Sequence, residues 1–461
     1  MTSFAEALKR NADAAPEQPA VTVGDETLTR RELLDAVGHV AGALAERGVG
    51  RDDVVSLVLP NSVELVLATF ATWWIGAVPQ PLSDRIPAAE QQAILDLAAP
   101  RLVLSDRDEV RALSAARQVG PPPAAVASMW KIVTSGGSTG RPKLIKATQP
   151  AEFENVAGLG ALLRFPSDGV VLVTGPLSHN APFIAAAVGV LFGNHVVIME
   201  RFDPTETLRL VERHRVQWLY LVPTMMSRIW RLPEDVRLGF DVSSLEVAFH
   251  MAAPCPEWLK RAWIDWLGPE VVLELYGGTE LQALTVITGS EWLEHPGSVG
   301  RAVIGEIEVR DGEIWMRRGP DAPSPYAYVG AEPKRAADGW ESLGDLGWMD
   351  DDGYLYLNDR LTDMIVVGGS NVYPAEVEAA LDEHPAIRSS CVIGLPDEDL
   401  GNRPHALIDA TGDVTDDDLR AFLRERLAPY KVPKTFERVE EPLRDDAGKV
   451  RRSALRQARL P

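Results

Sequence analysis

The chain has 461 residues, 46% of them apolar and 25% charged, a composition that suits a globular protein with room for two or three domains. A formal net charge of −21 argues against nucleic-acid or anionic-membrane binding, while leaving room for a locally basic pocket. The two cysteines, Cys255 and Cys391, form neither a disulfide framework nor a metal-ligand pattern and read as small buried apolar residues.

The opening residues MTSFAEALKR predict an amphipathic helix, with Ser3 and Glu6 spaced as a capping box, rather than a signal peptide. A second helix is predicted over 27–47. Thr29 and Glu32 form another capping box there, Leu33, Val37, Ala41 and Leu44 share a face, and Gly48 ends the helix. The apolar stretches 65–78 and 181–193 are shorter than the roughly 20 residues needed to cross a bilayer. Both read as buried helices, and a cytoplasmic protein is expected. Apolar runs at 54–59, 101–106, 170–175, 195–200, 217–222 and 271–276 alternate with helical stretches. Such alternation implies α/β architecture with largely parallel sheets. The Ala- and Pro-rich segment 107–129 reads as a short connection.

After residue 300 the pattern changes. The runs GEIEVRDGEIWM and GWMDDDGYLYL predict hairpins with type I′ turns at Asp311-Gly312 and Asp352-Gly353. Helix signals return at Pro374, a good first helical residue, and at Thr415 with Asp418, which cap a helix carrying Leu419, Phe422, Leu423 and Leu427 on one face. A domain boundary is expected near Asp359–Asp363, dividing the chain into 1–359 and 360–461.

The densest chemistry lies at 130–146, WKIVTSGGSTGRPKLIK. Thr134, Ser135, Gly136, Gly137, Ser138, Thr139 and Gly140 are followed by Arg141, Pro142 and Lys143. Glycines let backbone N–H groups approach an anion, hydroxyls add donors, and two cations add charge, as a polyphosphate cradle requires. The proline excludes the strand–loop–helix pattern of a Walker A site, so an extended segment should follow. Further along stand PLSHN (176–180), FHMAAPCP (249–256), YGGTE (276–280), GDLGW (344–348), NDRLTD (358–363), VVGGSNVYP (366–374) and RDDAGKVRR (444–452). YGGTE ends an apolar strand, where open α/β sheets bind ligands.

Together these motifs, in this order and over nearly the whole chain, resemble the adenylate-forming (ANL) superfamily. That group includes acyl- and aryl-CoA synthetases and the adenylation domains of peptide synthetases. The resemblance implies a large N-terminal domain of mixed α/β sheets with a small β-barrel-like region, and a smaller mobile α+β C-terminal domain. It implies ATP-dependent conversion of a carboxylic acid to an acyl-AMP, then transfer to the thiol of CoA, with Mg²⁺ required.

By the same resemblance, Thr134–Gly140 and Lys143 hold phosphates, and Ala252, Ala253 and Pro254 border adenine, with Met251 and Ala252 standing where glycines are usual. Tyr276 packs on adenine, Gly277 and Gly278 line the site, Thr279 donates to the α-phosphate, and Glu280 holds the metal. Asp345 and Arg360 contact ribose. Thr362 is the hinge, where the family usually has Asp or Lys, and Asp359 replaces a usual glycine. Gly368, Gly369 and Ser370 face the pantetheine chain of CoA in the second step, and Lys449 is the catalytic lysine of the first. His179 stands at the mouth of an acyl pocket with Phe183, Val222, Thr224, Gly277 and Gly278. That largely apolar or small set predicts a bulky apolar acid of steroid, terpenoid, aryl or fatty type. The wording SGGSTGRPKLI and MAAPCP is similar to bacterial ligases for bile-acid, steroid or terpenoid side chains. A carrier-protein thiol or an amine stays open as acceptor, as does a non-catalytic nucleotide-binding protein. A homodimer also stays open.

Overall fold

A computed structural model describes residues 1–116, 121–136, 142–320, 322–397, 399–445 and 448–460. The capping signals set the helix starts. Ser3 and Glu6 exchange hydrogen bonds at the start of the helix Phe4–Ala14, and Thr29 with Glu32 does the same for Arg30–Glu46. The second helix therefore begins later than 27, because Glu26–Thr29 is already paired as an edge strand with Pro19–Val23. The apolar stretches become the buried helices Val63–Trp74 and Asn180–Leu191, and no helix among the described residues is long and apolar enough to cross a membrane.

Among the described residues the largest sheet has nine strands. Its centre is parallel, in the spatial order Pro19–Val23, His195–Ile198, Val170–Val173, Trp218–Leu221, Val247–His250 and Val272–Gly277. Buried aliphatic and aromatic side chains from these strands and the flanking helices make the main core. A second parallel sheet joins Val78–Pro81, Val54–Leu57 and Leu102–Leu104. The segment 107–129 is more than a connection: its first nine residues form the helix Arg107–Ala115, capped by Asp106.

Pro142 starts an extended strand, Pro142–Ala147, as expected for the end of the phosphate loop. It pairs with Ile132–Gly136 on one side and Tyr326–Val329 on the other. The later strands build an antiparallel sheet around Glu313–Arg317 and Asp345–Met349. Asp311 and Gly312 both have positive φ, 50° and 82°, as a two-residue type I′ turn demands. The second hairpin differs. Only Gly353 is positive there, and a five-residue loop separates Met349 from Leu355. The reason is Asp350, whose carboxylate accepts from the N–H groups of Asp352 and Tyr354 and holds a wider turn.

Beyond Arg360 a separate hydrophobic cluster gathers Ile365, Val372, Leu381, Ile387, Ile408, Leu419 and Leu423. The long hairpin Ile387–Asp397/Gly401–Ala410 backs it, with the helices Pro374–Asp382 and Asp416–Arg424. Cys391 is buried as expected, whereas Cys255 is only partly so.

Candidate active site

Four adjacent parallel strands end at one edge of the main sheet, and each delivers a predicted segment there. After Val170–Val173 comes His179, the residue preceding the helix Asn180–Leu191. After Trp218–Leu221 come Val222 and Thr224. After Val247–His250 come Ala252, Ala253 and Pro254, and Val272–Gly277 leads into Gly278, Thr279 and Glu280. Loops at the carboxyl ends of parallel strands are free to diverge, which is why ligands collect there.

Glu280 is buried to 5% exposure at this edge. Its Oε1 lies 3.3 Å from Lys143 Nζ and accepts a hydrogen bond from the Tyr328 hydroxyl. Lys143 in turn stands 4.0 Å from the centroid of the Tyr328 ring. Burial and the Glu280 charge drive the Tyr328 phenol far above its usual range, so it stays a neutral donor. Gly278 is required by this arrangement: a Cβ there would lie 2.4 Å from Leu343 Cδ1 and 2.8 Å from Glu280 Oε2. At Gly277 a Cβ would meet Leu284 Cδ2 at 2.4 Å. The glycines thus make room for protein atoms, and not simply for a ligand as their position first suggests.

The phosphate-loop residues Gly137, Ser138, Thr139, Gly140 and Arg141 lie outside the described residues. At the loop's entrance, Thr134 Oγ1 is buried and has no hydrogen-bond partner among the described residues. An orphaned hydroxyl there suits a phosphate oxygen. Ala252 has φ +77°, a left-handed conformation that explains why glycine is the usual residue at its position. Leu281, next to Glu280, is also left-handed at +56°, so two non-glycine residues of this edge carry backbone strain.

A second group gathers where the antiparallel sheet meets the main one. The Tyr276 hydroxyl donates to Asp345 Oδ2 at 2.8 Å, and Arg360 Nε pairs with Asp345 Oδ1 at 3.1 Å. Desolvation, then the Asp345 charge, hold the Tyr276 phenol well above its ordinary value. The neighbouring Asp359 carboxylate accepts from the Ala375 N–H, in the first turn of Pro374–Asp382. This is what aspartate adds where glycine is usual.

The C-terminal segment closes over the same edge. Gly448 is buried with φ +76°, and a Cβ on it would sit 2.8 Å from Thr224 Oγ1 and 3.2 Å from Val222 Cγ2. Lys449 follows, its backbone N–H bonded to Asp445 Oδ1 at 2.9 Å. The Lys449 side chain keeps an open surface, yet the protein crowding round it and the Arg360 charge push its ammonium below the usual lysine range. Glu280 acts on Lys449 in the opposite direction. Arg231 donates to the Asp382 carbonyl at 2.8 Å, and Arg451 pairs with Glu90 at 3.1 Å, so polar contacts tie residues beyond 360 to the rest.

Other predicted residues lie apart. The hairpin carrying Gly368, Gly369 and Ser370 packs within its own unit, where the Gly368 N–H donates to the Leu400 carbonyl. A Cβ on Gly369 would meet nothing within 4 Å, and its φ of +86° is the reason for glycine in this arrangement. Thr362 is exposed in a tight turn in which the N–H groups of Asp363 and Met364 both donate to the Arg360 carbonyl. Phe183 packs in the core, its ring 5.7 Å from Trp73, beside a small apolar cavity bordered by Val66, Phe70 and Ala187. Sequence reasoning missed Tyr328, Gly448 and the buried Lys131. Only Gly448 had a signal, the D-x-G-K spacing.

Magnesium suits Glu280 as a single hard oxygen ligand. No group of three or more His, Cys, Asp or Glu that could hold a metal occurs among the described residues, so phosphate and water oxygens would complete its shell.

Comparison with known proteins identifies the family. Residues 8–318 match the model of the AMP-binding enzyme family, and 376–449 match the AMP-binding enzyme C-terminal domain. The 2-succinylbenzoate–CoA ligase of Bacillus licheniformis is 31% identical over 97% of this chain and 98% of its own. A Rhodococcus jostii ligase that makes the CoA derivative of a methyl-dioxo-octahydroindenyl propanoate is 32% identical over 99% and 98%. Among solved structures, o-succinylbenzoate CoA synthetase from Bacillus subtilis with its acyl-adenylate intermediate aligns with a TM-score of 0.83. It has 27% identity, with 98% of both chains covered. The same enzyme with ATP and magnesium ion aligns at 0.81, with 27% identity over 97% of this chain and 98% of its own. The chain therefore belongs to the AMP-binding enzyme family of the ANL superfamily and is an AMP-forming acyl-CoA synthetase.

Proposed function

We propose that the acid this ligase activates is a bulky, largely apolar carboxylic acid built on an aromatic or fused-ring skeleton. Acid activation at this edge is supported by the Gly448–Lys449 loop seated on Val222 and Thr224, at the same sheet edge as Glu280. That contact joins the proposed acyl wall to the proposed catalytic lysine. The ring-bearing acids of the two related ligases support the substrate class.

In the first step a carboxylate oxygen attacks the α-phosphorus of ATP, the bond to the bridging oxygen breaks, and pyrophosphate leaves. All reactants are anionic, so the residues' task is charge neutralisation and alignment. Lys143 and the Thr134 hydroxyl take phosphate oxygens, and the Lys449 ammonium meets charge developing between acid and nucleotide. Asp345 accepts from ribose hydroxyls while holding Tyr276 in place for adenine. Magnesium, when bound to Glu280, supplies further positive charge to the triphosphate. In the second step the CoA sulfur attacks the acyl carbon and AMP leaves. Residues 360–461 then turn about Thr362, Lys449 withdraws, and Gly368–Ser370 approach. The separate cores on the two sides of residue 360 support a division into 1–359 and 360–461.

The test is acid-dependent pyrophosphate release across benzoic, phenylalkanoic, fatty, steroid and terpenoid acids, with mass detection of acyl-CoA. Turnover confined to short unbranched fatty acids would refute the substrate class.

A further inference from the structure

Lys131 stands just before the strand Ile132–Gly136, in the sequence Trp130-Lys131-Ile132. It is 1% exposed. Its Nζ donates to Asn180 Oδ1 at 2.5 Å and lies 4.9 Å from the Trp130 ring centroid. Among the described residues it has no other hydrogen-bond acceptor and no carboxylate within ion-pair distance.

Three physical terms oppose a cation there. Burial removes its hydration. Asn180 opens the twelve-residue helix Asn180–Leu191, so Lys131 lies at the positive end of a helix dipole, which disfavours a cation and favours an anion. One neutral amide oxygen satisfies only one of three ammonium N–H bonds. Desolvation brings the ammonium down to about 7, opposed by the charge of Glu280. A methionine or leucine would fill this place at less cost to the empty fold. Its partner Asn180 directly follows His179, the residue read above as the mouth of the acyl pocket.

We propose that Lys131 is an anion-binding residue of the acyl pocket, donating, with the N-terminus of the helix Asn180–Leu191, to a carboxylate oxygen of the bound acid. This rests on the reading of the edge as the site of acid activation. The carboxylate is either the reacting one or a second one carried by the same acid.

The experiment compares the full-length protein with Lys131→Met and Lys131→Gln. The probes are 2-succinylbenzoate, which has two carboxylates, 4-oxo-4-phenylbutanoate, the same skeleton without the ring carboxylate, and the best acid of the substrate panel. Pyrophosphate release by the unaltered protein reports on the enzymatic reading. The difference between it and the variants reports on Lys131.

Loss of one charged hydrogen-bond donor should raise the KM for acid about ten- to hundred-fold. The KM for ATP should stay within about two-fold, and melting without acid should be unchanged or higher. A loss with both acids assigns Lys131 to the reacting carboxylate, and a loss with the diacid alone assigns it to the second. Two results overturn the proposal: an unchanged acid KM, or an ATP KM that rises as much as the acid KM. Variants that melt lower or fail to fold also contradict it, because the charge is held to cost the empty fold. If the unaltered protein releases no pyrophosphate with any acid, the enzymatic reading fails. Acid-dependent thermal shifts, present in the parent and lost in Lys131→Met, then decide the role of Lys131.

Discussion

Gly448→Ala isolates the contact that holds the Gly448–Lys449 loop at the sheet edge. Two costs follow from the structure. The φ of +76° costs an alanine about 1–2 kcal/mol. The added Cβ would also lie 2.8 Å from Thr224 Oγ1 and 3.2 Å from Val222 Cγ2. On the proposed turn of residues 360–461 this crowding acts only in the present arrangement, and overpacking of this kind costs about 1–3 kcal/mol. Adenylation should therefore fall about 5- to 150-fold. Thioester formation from supplied acyl-adenylate and CoA should change much less, because the proposed domain turn takes the loop elsewhere. Two assays measure this: acid-dependent pyrophosphate exchange, and CoA consumption with synthetic acyl-adenylate. Thr224→Ala removes the nearer atom and should restore part of the adenylation lost in the double variant. Equal loss in both half-reactions, or no loss in adenylation, would refute the reasoning.

Other outcomes follow from neighbouring residues. Lys449→Ala should lower adenylation by about 10²–10³-fold, the scale of losing one preorganised electrostatic partner, and leave thioester formation from supplied adenylate within a few-fold; single-turnover rates of the two steps check this. Ala252→Gly should relieve the left-handed strain at +77° and raise stability by about 1 kcal/mol in urea unfolding; a loss of stability would mean that the alanine methyl packs usefully. The Lys131 ammonium falls from 10.5 to about 7 on folding. Between those values the unfolded chain holds more protons than the native one, so stability rises with pH over that window. The charge costs the fold its full amount, on the order of 5 kcal/mol, below pH 7. The stability advantage of Lys131→Met should accordingly shrink from pH 6.5 to 9.5, and an advantage independent of pH would contradict the burial argument.

Much of the architecture was legible because its signals are local. Capping boxes at Ser3, Thr29 and Thr415 mark helix starts through bonds spanning three residues. Apolar runs between helices mark the parallel strands, and the ends of those strands mark where the ligand edge must lie. The failures are equally physical. Asp352-Gly353 resembles a two-residue turn, but Asp350 outcompetes that pairing with its own carboxylate. Residues 27–29 fit a helix by composition, yet the sheet edge claims them. In the site, Tyr276, Glu280, Asp345 and Lys449 stood out through motifs. Tyr328, Lys131 and the Gly448 contact did not, because their meaning lies in neighbours 48, 49 and 224 residues away.

The most direct test of the central claim is the identity of the nucleotide product. With an accepted acid, ATP, magnesium and CoA, chromatography should give AMP, pyrophosphate and acyl-CoA in equal amounts, with AMP absent when the acid is withheld. ADP and inorganic phosphate in place of AMP and pyrophosphate would contradict the account.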